Sequence, residues 1–428
     1  MTGVPLPSGA DPADDARDRS QPERAGNTQR VAMARPRLVI ILGFLSAFGP
    51  LSIDMYLPAL PAMARTLHAP TSAAQLTLTG CLAGLALGQL VSGPISDARG
   101  RRGPLLAGVA GFAAASALCA VAPDVWLLLA LRFAQGFAGG AGIVIARAVV
   151  RDLYADDAMA RIYAIQLLIT GTAPILAPII GGQLLRVTDW RGVFVALALI
   201  GVLLAGASGR WVPETWPPQR RRAGGLRAVL TDARALTADR RFLRLVLATG
   251  LAFGAMFAYI SGSSFVLQAR FGISPQLFSV IFAINSAGIV TAGQVSRWLV
   301  GRVPQHTLFA AGLTGSAIGG GLMLVTAFTG AGLPLLLPAL FVVVASIGLV
   351  LPNGTALALA SHAERAGSAA ALIGTAQFAI GAAAAPLVGL AGPRTVLPMA
   401  LVIGSLGLGA WLIRPRAPRP ERQVQPAG

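Results

Sequence analysis

From about residue 38 to residue 413 the chain alternates long apolar runs with short polar interruptions. Most of these runs reach the ~20 residues that a helix needs to cross a bilayer. The pattern predicts twelve helices, at 38–60, 73–95, 104–122, 125–146, 162–185, 192–211, 243–268, 274–297, 307–328, 333–358, 367–391 and 394–413. Residues 303–361 carry no formal charge apart from the ionisable His306, so the turn at Gly330, Ala331 and Gly332 must divide that stretch. Residues 1–37, rich in Pro, Asp, Arg, Gln and Gly, read as a disordered tail, and 415–428 as a second one. No cleavable leader is expected, because the first apolar run has full length and no small-residue cleavage site before the next. The polar connection 213–241, with Pro213-Glu-Thr and Arg220-Arg-Arg222, separates a half at 38–212 from a half at 242–414.

Composition narrows the class. With 55% hydrophobic and 12% charged residues over 428 positions, soluble domains could not hide the apolar surface. An all-α polytopic membrane protein is expected. The net charge of +17 raises nucleic acid as a partner, but the placement of charge argues for the bilayer instead. With both termini cytoplasmic, the outer side receives only Arg65, Arg186, Arg191, Arg270 and Arg394. Arg132 lies within a span, and the other 28 of 34 basic residues, all arginines, face the cytoplasm. Cys81 and Cys119 both fall inside spans, which excludes a disulfide framework and marks them as small packing residues.

Two charges stand inside apolar runs. Asp54, in Leu51-Ser-Ile-Asp-Met-Tyr-Leu-Pro58-Ala-Leu-Pro61, is alone among 17 acids in doing so. A charged, unpaired carboxylate there costs several kcal/mol and is a candidate for proton exchange, since burial favours its neutral form and a nearby cation its ionised form. Packing near a wet helix exit is the plainer alternative. Arg132, with Gln135 one turn on, is placed about a third of the way from the cytoplasmic end of the fourth span. It must face a cavity, find acceptors or snorkel to the surface.

Between the second and third spans stands Gly93-Pro-Ile-Ser-Asp97-Ala-Arg99-Gly100-Arg101-Arg102, with uncharged runs at 71–96 and 103–123. The pattern Gly-x-x-x-Asp-x-x-Gly-Arg-Arg resembles the loop signature of the major facilitator superfamily. That resemblance implies two six-helix halves around a central cavity, a transporter and not an enzyme, and a gating role for Gly93, Asp97, Gly100, Arg101 and Arg102. Asp97 is expected to pair with Arg147 or Arg151, or to face the helix start near Gly367. The segment Gly293-Gln-Val-Ser-Arg297-Trp-Leu-Val-Gly301-Arg302 repeats the loop faintly, with Arg297 where Asp97 stood. The segment around Arg132 resembles the superfamily's fourth-helix motif, which implies a link to proton transfer. Gly171-Thr-Ala-Pro174-Ile-Leu-Ala-Pro178-Ile-Ile-Gly181-Gly182 resembles the antiporter motif of its fifth helix, with Ala177 where glycine is usual. Ordinary close helix packing explains the same prolines and glycines.

Ser52-Ile-Asp54-Met-Tyr56-Leu-Pro58-Ala-Leu-Pro61, Leu351-Pro352-Asn353 and Arg365-Ala-Gly367-Ser368 through Gln377-Phe378 are similar to the bicyclomycin-resistance (Bcr/CflA) branch of the drug/proton antiporters, a likeness covering 38–414. It implies a monomeric inner-membrane exporter of amphipathic drugs of bicyclomycin, sulfonamide or phenicol type. Protons would be its coupling ion, through Asp54 and Arg132, with no cofactor and no metal. Ser46, where relatives can carry a second acid, argues for simple coupling and against efficient export of dications. Tyr56, Gln135, Tyr259, Asn353, Gln377 and Phe378 are the expected drug contacts, as aromatics and amides suit uncharged, moderately apolar compounds. A proton-coupled symporter or facilitator importing a metabolite remains open. A membrane enzyme has little support, because His68, His306 and His362 all lie at span ends.

Overall fold

The computed structural model describes residues 36–415 except 155, 221–235, 363–365, 391 and 393–394. The expected terminal tails, the middle of the 213–241 connection, Arg365 and Arg394 therefore lie wholly or largely outside the described residues. The first six crossings comprise α1 (Pro36–Ser46), α2 (Phe48–Asp54), α3 (Leu60–Thr66), α4 (Thr71–Arg99), α5 (Arg102–Ala120), α6 (Val125–Leu153), α7 (Asp156–Leu184) and α8 (Trp190–Trp211). The last six are α9 (Arg240–Phe265), α10 (Pro275–Leu299), α11 (Gln305–Thr329), α12 (Leu333–Ala360), α13 (Ala366–Leu387) and α14 (Leu397–Ile413). Among the described residues, nine helices are individually long and apolar enough to span a membrane. The bent set α1–α3 forms one more crossing, and two shorter apolar helices, Leu372–Leu387 and Leu397–Ile413, complete twelve.

Several helices overrun the predicted spans. The fourth continues from 146 to Leu153, and the second reaches Arg99. Acids that the sequence places in loops serve as helix caps. Asp124 accepts the N–H of Trp126 at 2.8 Å and of Leu127 at 2.9 Å. Asp189 and Asp239 do the same for Arg191 and Arg241.

The first crossing departs most from a plain helix. Its two parts meet at 46° at Ala47, and its helix is interrupted again at 55–59. Three prolines account for both breaks. Pro50 cannot donate to Ser46 and crowds its carbonyl, which bends the chain there; Pro58 and Pro61 do the same to Asp54 and Leu57.

Within the first half, α4 and α6 approach at backbone contact. A Cβ on Gly84 or Gly88 would run into the carbonyls of Phe133 and Phe137. One on Gly136 or Gly140 would meet those of Cys81 and Leu85. Four-residue glycine spacing on both helices permits this. The second half repeats the device, with Gly348 of α12 against the Ile289 carbonyl of α10. Helix α9 is the most enclosed crossing, with 72% of its apolar window buried against 28% for α7 and α8.

Candidate functional site

The halves meet at one end only of the bundle, as far as hydrogen bonds among the described residues tell. Ser264 Oγ donates to the Leu57 carbonyl at 2.7 Å, and Gln268 Nε2 to that of Pro58 at 3.2 Å. Thr79 Oγ1 donates to Ala382 O at 3.0 Å, Gln75 Nε2 to Ser261 O at 3.1 Å, and Gln276 Nε2 to Gly182 O at 2.9 Å. All lie at the end opposite the chain's entry at Pro36. Three of these five acceptors have a sequence origin. Pro61 and Pro386 stand four residues after Leu57 and Ala382, so neither carbonyl receives an i+4 amide; Leu57 O keeps the Leu60 N–H of its 3-10 turn and has a second lone pair for Ser264. Gly182 sits in the last turn of α7, where carbonyls are also left over.

Asp54 lies directly beneath this gate, at the end of α2 and 6% exposed. Among the described residues no hydrogen-bond or ion-pair partner reaches it. The Ser264–Leu57 bond sets the register between the first crossing and α9, and places Asp54 about one turn further in, level with Tyr259 to Ser261. Tyr259 of the second half is within electrostatic range of the Asp54 carboxylate. Its hydroxyl accepts from Asn285 Nδ2 at 2.9 Å, and its ring stacks on Phe282.

The glycine pair of α7 belongs to the same assembly. A Cβ on Gly181 would strike the Met55 carbonyl, while one on Gly182 would strike Ser279 Oγ of α10. Gly181 therefore lets α7 lie against the unwound part of the first crossing, and Gly182 lets it reach the other half. The helix remains continuous through Pro174 and Pro178, and Gly171 faces Val290 of the second half in open contact.

Arg132 is placed differently from the expectation. It is fully enclosed within the first half and lies about two turns from the gated end, because α6 runs from that end. Its guanidinium sits over the rings of Tyr56 at 5.1 Å and Phe194 at 5.6 Å, and bonds to Gln135. Gln135 in turn donates to Ser116 Oγ at 2.7 Å. Nε and Nη2 have no acceptor, so the aromatic faces carry much of the charge's stabilisation. Tyr56 and Gln135, read from sequence as drug contacts, are packed into this cage, and the Tyr56 hydroxyl meets Thr77 Oγ1 at 3.3 Å. Asn353 is 2% exposed and donates to Ser296 Oγ at 2.7 Å, which ties α12 to α10. Gln377 and Phe378 are half-buried, with Phe378 edge-on to Phe253.

At the opposite end, Asp97 pairs with Arg101 at 2.6 Å, and with neither Arg147 nor Arg151. The partner is the arginine four residues on, across the Gly100 turn, and not one on a neighbouring helix. Arg101 is 1% exposed and also binds Asp152 at 2.9 Å and Ser96 Oγ at 2.8 Å, under the Trp216 ring. Burial lowers the proton affinity of this guanidinium, but hydrogen bonds to Asp152 and Asp97 outweigh it, so its pKa ends above the usual value. Thr215 Oγ1 donates to Asp152 as well, and Glu214 accepts the backbone N–H of Arg101 and Arg102. Gly100 turns the chain with φ 95°, and Gly301 repeats this in the second half with φ 86°. Gly93, next to Val144, accepts Ser96 Oγ through its carbonyl. The ion pairs of this cluster lie wholly in the first half, and Glu214, Thr215 and Trp216 join them from the start of the 213–241 connection. Asp152, Glu214 and the gate residues Gln75, Thr79, Ser264, Gln268 and Gln276 were missed in the sequence. Only the proline spacing pointed towards the gate. No group of three potential metal ligands occurs among the described residues.

Comparison with known proteins fits this architecture. The family model described as Major Facilitator Superfamily matches residues 42–386. The chain is 37% identical over 380 residues to the MFS-type transporter YdgK of Bacillus subtilis, covering 87% of this chain and 94% of that one. It is 30% identical to a bicyclomycin resistance protein homolog of Haemophilus influenzae, covering 86% and 92%. It is also 30% identical to multidrug resistance protein D of Escherichia coli, covering 91% and 98%. Among solved structures, a peptide transporter of the POT type superposes with a TM-score of 0.72 at 17% identity, covering 90% of this chain and 96% of that one. A D-xylose–proton symporter does so with 0.67 at 16%, covering 88% and 96%; both likenesses concern the fold. The chain therefore belongs to the major facilitator superfamily, in its bicyclomycin-resistance (Bcr/CflA) branch, and is a transporter.

Proposed function

We propose that this protein is a proton-coupled exporter of amphipathic drugs in the bacterial inner membrane, working as a monomer with both termini in the cytoplasm. The observation that carries the reading is Asp54, an enclosed carboxyl group with no hydrogen-bond or ion-pair partner among the described residues, set at the seam where the halves close. With the termini cytoplasmic, the gated end is the periplasmic one and the conformation is inward-facing. Opening that gate would carry Tyr259 away from Asp54 and admit water to the carboxyl group. Closing it would return the group to a dry site within electrostatic range of Tyr259 of the other half. A proton taken up from outside and released inside follows from that alternation, and drug leaving in the opposite sense completes the exchange.

Gln377 and Phe378, with Phe253 behind them, are the residues best placed to meet an apolar, uncharged drug from the second half. Arg132, Tyr56 and Gln135 act on the proton site through packing and not by touching the drug. The gating role of Gly93, Asp97, Gly100, Arg101 and Arg102 is to shape the cytoplasmic end of the first half. Gly171, Pro174, Pro178, Gly181 and Gly182 fit the antiporter helix to both halves.

Homologues named for bicyclomycin and multidrug resistance support drugs as the cargo. The test is transport in proteoliposomes with an imposed pH gradient, using the wild type and Asp54→Asn. The wild type is expected to move drug against proton flux and the variant to lose the response to the gradient. Gradient-driven transport by the variant at the wild-type rate would refute the assignment. Proton flux in the same direction as substrate would convert it to a symporter.

A further inference from the structure

We propose that a cleft at the arginine-rich end of the first half binds the phosphate of an anionic phospholipid headgroup. The cleft, of about 690 Å³, lies where the starts of α1 and α5 meet the end of α8. It is far from Asp54 and from the gate. Arg37, Arg102 and Arg210 line it together with Trp211 and Pro213. Three guanidinium groups around one recess is a costly arrangement unless an anion enters it.

Their existing partners leave that charge open. Arg37 lies over the Trp211 ring at 5.8 Å. Arg102 spends one Nη2–H on the Gly209 carbonyl at 2.6 Å, an acceptor at the end of α8. Among the described residues Arg210 has no hydrogen bond or ion pair, and no carboxylate of theirs pairs with the side chain of Arg37, Arg102 or Arg210. Glu214, the nearby acid, directs its carboxylate oxygens at the backbone N–H groups of Arg101, Arg102 and Trp216. What remains is a set of forked donors suited to bidentate phosphate recognition.

The surroundings favour a lipid over a soluble phosphate. Three helix ends converge at one membrane surface, and Trp211, 43% exposed, sits at that level as interfacial tryptophans do. An exposed apolar track leads away from the cleft into the bilayer. Ile40 and Phe44 follow Pro36 at four-residue steps on α1 and are 50% and 44% exposed. Leu203 and Leu199 of α8 are 71% and 59% exposed. A phosphate in the cleft would leave its acyl chains lying along that track.

Native mass spectrometry of the purified full chain tests this, with phosphatidylglycerol and phosphatidylcholine of matched acyl chains as probes. Thermal stabilisation by inorganic phosphate or glycerol 3-phosphate in solution provides the free-anion arm. The wild type is expected to retain phosphatidylglycerol in preference to phosphatidylcholine. Arg37→Gln with Arg210→Gln should weaken that binding about 30-fold, which is about 2 kcal/mol at about 1.4 kcal/mol per tenfold. The charge-conserving Arg37→Lys with Arg210→Lys should keep most of it. Arg302→Gln should change nothing, since Arg302 sits over Trp298 at the same end of the second half but lines no part of the cleft. Unchanged phosphatidylglycerol retention by the glutamine double variant overturns the proposal, as does equal retention of phosphatidylcholine. Equal stabilisation by free phosphate overturns the lipid as the source.

Discussion

The gate yields a prediction that depends on counting hydrogen bonds and little else. Ser264→Ala removes the donor to Leu57 O, and Thr79→Ala the donor to Ala382 O, at 2.7 and 3.0 Å. Both acceptors lack the i+4 amide because a proline stands there, so in the closed state each deletion takes the cross-half donor from a buried carbonyl, although Leu57 O keeps the Leu60 N–H. In the open state water can reach the same carbonyls. Each bond therefore favours closure by about 1 kcal/mol net, or roughly fivefold in population. The two sit on different pairs of crossings, so the double variant should shift the equilibrium by about 2 kcal/mol, nearly 30-fold. Spin labels at Val187→Cys and Leu390→Cys report the separation, as both positions lie at the gated end and are 84% and 73% exposed. The native Cys81 and Cys119 are fully buried and will not label. The short-distance population should shrink stepwise in the single and double variants. Thr326→Ala is the control, because Thr326 makes the same kind of bond at 2.9 Å within its own helix, to Leu322 O. An unchanged distance distribution in the double variant, or an equal shift in the control, would refute the account of the gate.

Two further substitutions separate packing from charge. Gly181→Ala would drive a methyl group into the Met55 carbonyl, and should cost about 1–3 kcal/mol in thermal unfolding and abolish efflux. Asp152→Asn should destabilise the protein more than Asp97→Asn in the same assay. Asp152 is 4% exposed beside the fully covered Arg101, and breaking such a pair costs about 3–5 kcal/mol when nothing replaces the lost partner. Asp97 is 44% exposed, where an ion pair contributes about 0–1 kcal/mol.

Hydropathy alone located the crossings, because a bilayer forces each into one long apolar run. It could not show the overruns at Arg99 and Leu153, where the helices continue into water on polar residues. Asp54 was legible for a similar reason, since one acid in an apolar run is conspicuous whatever surrounds it. Partnerships were not. Asp97 had several arginines within reach in sequence, and the choice of Arg101 depends on how α5 leaves the Gly100 turn. Arg132 gave the same signal as Asp54 but has a different setting, because nothing local told that Tyr56 and Phe194 would close over it. Asp152 and Glu214 looked like ordinary loop charges until the fold brought both to Arg101. The breaks in the first crossing were foreshadowed by Pro50, Pro58 and Pro61. Which donors would use the released carbonyls was a matter of tertiary register, which no local pattern encodes.

The energies of these parts fit one another. The hydrogen bonds that hold the halves together are neutral, and each contributes about 1 kcal/mol. A difference of one unit in proton affinity of Asp54 between the two faces is worth about 1.4 kcal/mol, the same size as one of those bonds. A single protonation event can therefore tilt a gate built from such increments. It could not overturn one closed by buried ion pairs. The strong charges are elsewhere, since Asp97, Arg101 and Asp152 all belong to the first half and move together with it. Opening the gate does not break them. The seam thus sets the Asp54 carboxyl group against several weak contacts, two of them to proline-released carbonyls, and on the proposed mechanism that disproportion would let a proton decide which face is open.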